Sequence, residues 1–494
     1  MQRALTALAL GLSATLALST APGLSTAPGL STAPGLSTAP GSGATDGSME
    51  GFIESEMPTS GVPGLAYSVV ADGGTALGAR GVVRVGGTTP VTPDTPFLTG
   101  SISKSFTALA VMQLAEAGRV DLGAAISDYL DDFTGRPAGG VTIRQLLSHT
   151  SGFSTLQGNA SHRDGAAGTD ELARLVEGLA ETTPAYGPDE RWEYSNTNYQ
   201  ILGRLIEVVS GAQYQDYVTT HILEPVGMVH SFVADGEIHE SMATGHRPWF
   251  GTKRPLPENR TDRATAPQGG IVASASDLAL YLQMMMNGED DVLSADGKAL
   301  MMRPAGGAAT FYGFGWFVDA GNGTVWHSGS TPGVETLATM VPAEKRAVTV
   351  LVNGGSGVGF GETSALRNGI TTRALGLDAV DEGSRLPQKA LVLSLVLLPV
   401  GYLLSMVWAW RHRAAIRAKS GVAGRFSLWF PLLTTLAAAW VVLGLVPSLV
   451  GSPIGTISMF QPDLGAALIA TAVTGVLWAV FRLVVAHTGR PARA

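Results

Sequence analysis

The chain has no cysteine in 494 residues. That excludes a disulfide framework, a thiolate nucleophile and any zinc–cysteine site, and it suits an exported bacterial protein. A zinc-protease helix is missing too. His239-Glu240 opens an H-E-x-x pattern, but Ala243 stands where the second histidine belongs. Basic charge is scarce where most of the chain lies. The total is -8; the first 44 residues carry only Arg3, and Leu386 to the end carries nine Lys/Arg against Asp463. The segment from Thr45 to Arg385 is therefore strongly acidic, at -17. An acidic body argues against nucleic acid as a partner.

Residues 1–21 read as a secretory signal peptide. Arg3 is the charged start, Ala4–Leu18 the apolar stretch, and Ala17-Leu18-Ser19 or Ser19-Thr20-Ala21 offers small residues for cleavage. An uncleaved anchor helix is the alternative. Leu18–Gly41 is four copies of Leu-Ser-Thr-Ala-Pro-Gly. Proline and glycine every six residues forbid a helix or a paired strand, so 22–46 is expected to be a flexible spacer.

A globular domain is expected over 47–380. Strands are predicted at Gly64–Val70 and Ala76–Val85, and again at Gly313–Val318, Thr324–His327, Glu335–Val341 and Ala347–Asn353. Between them, apolar spacings of three and four predict helices at Leu172–Leu179, Asn198–Ser210 and Ala275–Met286. Glu362–Leu375 is a closing helix. The expected class is α/β: an antiparallel sheet contributed by both ends of the domain, flanked by helices, beside an all-helical lobe.

After Pro387 the composition changes. Runs at about 390–410, 427–450 and 464–484 have almost no charge, and each is long enough for a hydrocarbon core about 30 Å thick. Three transmembrane helices are predicted within 386–486. The loop between the first two carries Arg411, Arg413, Arg417, Lys419 and Arg425, and the loop before the third carries no Lys or Arg. The positive-inside rule puts the first loop and the tail in the cytoplasm and the acidic body outside. No acid or base sits at membrane depth, so an ion or proton pathway is not expected.

The chemistry starts at Ser101-Ile102-Ser103-Lys104. Phe106, Leu109, Ala110 and Leu114 follow at helical spacing, so the hydroxyl and the amine share a face near a helix start. A lysine in a dry cleft can lose its charge and take the serine proton. The alternative is a capped helix with an exposed lysine. Tyr194-Ser195-Asn196 stands just ahead of the helix 198–210 and supplies a second acid or base. Tyrosine serves as a base only if a neighbouring cation such as Lys104 lowers its pKa. The alternative is a packed tyrosine at a helix entry. His327-Ser328-Gly329-Ser330 ends a predicted strand, and Gly329 would let a substrate backbone lie close to the strand edge. His149 reads as structural. Trp249, Phe250, Phe311, Tyr312 and Trp316 either line a pocket or fill the core.

S-x-x-K, Tyr-x-Asn and His-x-Gly in this order resemble the serine β-lactamase and penicillin-binding protein superfamily, specifically its class C β-lactamase-like branch of D-aminopeptidases, carboxypeptidases and esterases. Leu146-Leu-Ser-His-Thr-Ser-Gly152, Tyr194–Tyr199, Glu224–Met228 and Gly269–Ile271 look like the intervening blocks, so the resemblance spans about residues 50–375. It implies that Ser101 is the acylated nucleophile, that Lys104 activates it and that Tyr194 exchanges protons with nucleophile and leaving group. Asn196 would hold the substrate amide, and the backbone amides of Ser101 and Ser330 would form the oxyanion hole. His327, Ser328 and Gly329 would complete the substrate-binding strand. Neither metal nor cofactor is implied. The implied protein is a membrane-anchored, extracytoplasmic hydrolase of small esters, D-amino acid peptides or β-lactam-like amides. A penicillin-binding sensor with slow turnover is the alternative. The sequence gives no oligomeric state. One departure stands out: the family's β-lactamases have Lys where His327 stands. A histidine is mostly neutral at pH 7, which favours esters or D-peptides over cephalosporins.

Overall fold

The computed structural model describes residues 46–71, 73–162, 168–378 and 383–488. The expected signal peptide and the repeats fall outside these residues. The chain divides into two compact units, one holding the body and one the C-terminal helices.

The body is built on a six-stranded antiparallel sheet. Its strands are β1 (Gly64–Ala71), β2 (Gly74–Gly81), β3 (Phe317–Asp319), β4 (Thr324–Thr331), β5 (Val334–Val341) and β6 (Arg346–Val352), in the spatial order β2-β1-β6-β5-β4-β3. The early hairpin thus joins the late meander through β1 and β6, with Tyr67 opposite Val350. Side chains alternate across the sheet, as a period of two requires. Leu65, Tyr67, Val348, Val350 and Val352 face α1 (Asp46–Ser60) and the C-terminal helix of the body, and share a core with Met49, Ile53, Leu366 and Ile370. Ala66, Val70, Ala347 and Leu351 face the other way, into the large core of the helical lobe.

That lobe lies between β2 and β3 in the chain. Three of its helices matter most: α2 (Ser103–Glu116), α3 (Asn196–Ser210) and α4 (Ala275–Met286). Eleven of the first twelve residues of α2, Ser103–Leu114, are buried, all but Gln113, so α2 is a central helix rather than an amphipathic one. The closing helix of the body, α5 (Ser364–Leu375), is tied to β5 by a partly buried Arg367–Glu335 ion pair at 2.7 Å, and Thr363 also donates to that carboxylate.

Four expectations are corrected. The predicted strand over 313–318 shrinks to β3, because Gly313 N–H donates to the Trp316 carbonyl in a tight turn and Gly315 has φ +76 against Ser105. Strand β2 ends at Gly81, not Val85, and begins at Gly74. Strand β4 runs on to Thr331, so His327 is mid-strand. Ser101 lies in a separate 3₁₀ turn, Gly100–Ile102, ahead of α2.

In the C-terminal unit, three helices are long and apolar enough to cross a membrane: Leu386–Arg411, Gly421–Leu449 and Pro462–His487. They fit a C-terminal anchor. The third packs against the first through small residues: a Cβ at Gly475 would lie 3.2 Å from the Tyr402 ring, and Thr471 donates to the Leu395 carbonyl.

Candidate active site

The turn carrying Ser101 is fastened before the helix begins. Thr99 N–H and Oγ1 both donate to the Ile271 carbonyl at 2.8 Å, and Ile271 N–H donates to Ser103 Oγ at 2.9 Å. Gly100 adopts φ +56, and a Cβ there would sit 2.5 Å from Ser330 N. The turn and β4 therefore meet backbone to backbone, with the peptide groups of Ser101 and Ser330 as neighbours. Beyond Trp326 the edge of β4 is not paired with β3, which leaves 327–331 open towards that turn.

Gly329 has a different reason from the one its sequence suggested. A Cβ at 329 would lie 1.9 Å from the Thr99 carbonyl oxygen and 2.3 Å from Thr336 Oγ1. The missing side chain admits the nucleophile turn, whatever it does for a substrate. Thr336 Oγ1 donates to the same Thr99 oxygen at 2.7 Å.

Lys104 is wholly buried. Its Nζ lies 3.2 Å from Ser101 Oγ and donates to Asn196 Oδ1 at 2.8 Å and to the Gln268 carbonyl at 2.9 Å. All its polar partners are neutral, and burial holds its pKa well below the ordinary lysine value. A neutral amine beside a serine hydroxyl can accept its proton. The alternative of an exposed lysine on a capped helix is excluded.

Tyr194 reaches the same place from the loop ahead of α3. Lys104 Nζ lies 4.9 Å from its ring centre. Burial pushes the Tyr194 pKa up, opposed only by the Ser101 hydroxyl. This reverses the sequence expectation of a lowered value: a dry pocket disfavours the phenolate, and the same burial pushes the neighbouring amine towards its neutral form. Tyr194 stands as a phenol. Asn196 is the first residue of α3, with its amide engaged at both ends: Oδ1 accepts from Lys104, and Nδ2 donates to Asn159 Oδ1 at 3.2 Å.

His327 is also buried. Its Nδ1 contacts the Ser328 carbonyl at 2.6 Å, and Nε2 faces Tyr312 Oη at 3.3 Å. A carbonyl only accepts, so the proton sits on Nδ1 and Nε2 takes the tyrosine hydrogen bond. Burial, with Lys104 nearby, pushes its pKa down to about 3. His327 is a neutral wall beside Tyr194. Ser328 and Ser330 occupy the alternate, half-exposed positions of β4, so their backbone rather than their hydroxyls adjoins the Ser101 turn.

Of the aromatic residues singled out, Tyr312 and Trp316 are fully buried, and Trp249 and Phe250 belong to a separate hairpin, His246–Pro255. Phe311 is exposed and packs edge-on against Trp192 at 4.7 Å. Trp192 was not foreseen. With Tyr312 and Phe317 it forms an apolar flank to Tyr194. Gln268 and Asn159 were missed as well. The first works through its carbonyl, which no side-chain motif announces. Among the described residues no cluster of metal-ligating side chains occurs.

The sequence pattern described as Beta-lactamase matches residues 49–369. The chain is 33% identical over 325 residues to penicillin-binding protein 4 of Amycolatopsis lactamdurans, covering 60% of this chain and 83% of that one. Among solved structures, the octameric penicillin-binding protein homologue of Pyrococcus abyssi superposes with a TM-score of 0.59 at 29% identity, over 71% of this chain and 81% of that one. The D-amino acid amidase of Ochrobactrum anthropi SV3 shares the fold at 23% identity, with a TM-score of 0.57 over 67% and 97% of the two chains. From its first core helix to α5, the chain belongs to the β-lactamase family of serine hydrolases.

Proposed function

We propose that the protein is a membrane-anchored, extracytoplasmic serine hydrolase that works through an acyl-enzyme on Ser101. The observation that carries this reading is the wholly buried Lys104 amine 3.2 Å from Ser101 Oγ, its polar partners all neutral. In acylation, Lys104 Nζ takes the serine proton as Oγ bonds to the acyl carbon. The developing oxyanion lies by the Ser101 and Ser330 peptides. Tyr194 Oη gives its proton to the departing group and is reprotonated from Lys104. Water reverses the sequence to release the acid.

The proposed substrates are small esters, D-amino acid amides and peptides, or β-lactam-like amides, with uncharged acyl compounds preferred. A neutral His327 gives no fixed cation for a substrate carboxylate, and the Trp192 flank offers apolar surface. The likeness to penicillin-binding proteins supports one further reading, a sensor whose acyl-enzyme persists.

The test is Ser101-dependent labelling of the full chain with a fluorophosphonate and a fluorescent penicillin, wild type beside Ser101→Ala, with p-nitrophenyl ester turnover in parallel. Fluorophosphonate label and ester turnover in the wild type alone are expected. A wild type that labels no more than Ser101→Ala sinks the nucleophile assignment, and a penicillin label lasting hours favours the sensor.

A further inference from the structure

His149 has a conformation that costs stability twice. It is a buried non-glycine residue at φ +60, in the left-handed region. Its Nδ1 accepts from Ser195 N–H at 3.2 Å and faces Asn198 Nδ2, itself a donor, at 2.9 Å. The ring proton therefore sits on Nε2, which is buried with no acceptor. A glycine would remove both costs. Something else holds a histidine here.

Three contacts of His149 converge on one residue. Its carbonyl accepts from Glu193 N–H at 3.0 Å, and its Nδ1 from Ser195 N–H. These are the N–H groups of the two residues that flank Tyr194. The imidazole ring itself lies 4.4 Å from the Tyr194 ring, centre to centre. Asn198 is in turn fixed by Ser151 Oγ, which donates to its Oδ1 at 2.6 Å. Tyr194 Oη, by contrast, meets the Ser101 hydroxyl and no group that would fix it from behind. The phenol is aimed from behind.

We propose that His149 is a positioning residue for Tyr194: it grips the backbone on both sides of the tyrosine and packs against its ring, so that Oη stays at the Ser101–Lys104 pair. This rests on the acyl-enzyme reading and adds a residue to it. His149 touches no reacting atom. Its loss should slow proton transfer without weakening the binding of substrate.

The test uses the full chain and two variants. His149→Gly suits the left-handed backbone but removes the ring and the Nδ1 acceptor. His149→Asn also tolerates that backbone and keeps a side-chain acceptor. With p-nitrophenyl butyrate, His149→Gly is expected to lose about 10²-fold in kcat, the scale of a displaced acid–base group, with KM within about threefold. Imidazole at millimolar concentration should restore several-fold of that kcat by filling the vacated space, and leave the wild type unchanged. His149→Asn should fall between the two. A kcat within threefold of wild type in His149→Gly overturns the proposal. So does a loss that imidazole does not relieve and that appears in KM. If His149→Gly does not fold, a His149→Asn protein with wild-type kcat overturns it equally. Fluorophosphonate labelling separates the two readings: a wild type not labelled at Ser101 removes the acyl-enzyme reading and this inference with it, whereas labelled wild type with unimpaired variants removes this inference only.

Discussion

Lys104 decides the pH behaviour of the site. Its folded pKa lies well below the ordinary lysine value, through burial. The amine works when neutral, so kcat/KM should fall as pH drops through that lowered pKa and Nζ takes a proton. His327, at about 3, and Tyr194, pushed upwards, stay neutral around pH 7 and add no step there. The sign for stability follows the same protons. An unfolded Lys104 keeps its proton up to a higher pH than the folded chain does, so stability should rise with pH between the lowered folded value and the ordinary lysine value. Lys104→Met should abolish turnover by about 10³-fold. It should also flatten the rise of unfolding temperature between about pH 8 and 10 relative to wild type. Equal slopes in the two proteins would show that Lys104 is charged in the folded state.

At the scale of elements, the site depends on how closely one turn meets one strand. The turn 99–102 lies against β4 where neither Gly100 nor Gly329 has a side chain. Gly329→Ala would set a methyl 1.9 Å from the Thr99 oxygen, in backbone that cannot swing aside. The strand and the turn must part. The expected cost is about 2 kcal/mol in stability and about 10²-fold or more in kcat/KM, read by thermal unfolding and ester turnover. A fully active Gly329→Ala protein would mean that the turn is not held by this contact. Much of this architecture was legible in advance. The short apolar, β-branched runs of Gly64–Val70 and Glu335–Val341 and the apolar spacing of 275–286 gave strands and helix nearly to their ends, because short runs of that composition suit strands buried on both faces of a sheet. The motifs brought Ser101, Lys104, Tyr194 and His327 to one place by resemblance. What stayed hidden was long-range. In α1, Met49, Phe52, Ile53 and Met57 stand at helical spacing, but what buries Met49 and Ile53 is β6 and α5, from the far end of the domain. The burial that reverses the expected tyrosine shift and neutralises His327 is a property of the assembled lobe, not of Tyr-Ser-Asn or His-Ser-Gly. The role of Gly329 likewise depends on a carbonyl 230 residues earlier in the chain.

At the scale of the whole molecule, the distribution of charge becomes a statement about sides of a membrane. Three helices long and apolar enough to cross a membrane would place an odd number of crossings between the acidic body and the tail. The arginines and lysines after the first helix, Arg411 to Arg425, oppose translocation of that loop, and the loop before the third helix has none. The body should therefore face outward, where small extracytoplasmic substrates are met. The absence of cysteine makes this directly measurable, since one introduced thiol is the only one in the chain. Thr89, Ser420 and Gly455 are all exposed, in the body, the basic loop and the loop before the third helix. In intact cells a membrane-impermeant maleimide should label Thr89→Cys and Gly455→Cys, and should reach Ser420→Cys only after lysis. Labelling of Ser420→Cys in intact cells, with Thr89→Cys protected, would invert the topology and move the Ser101 site to the cytoplasm.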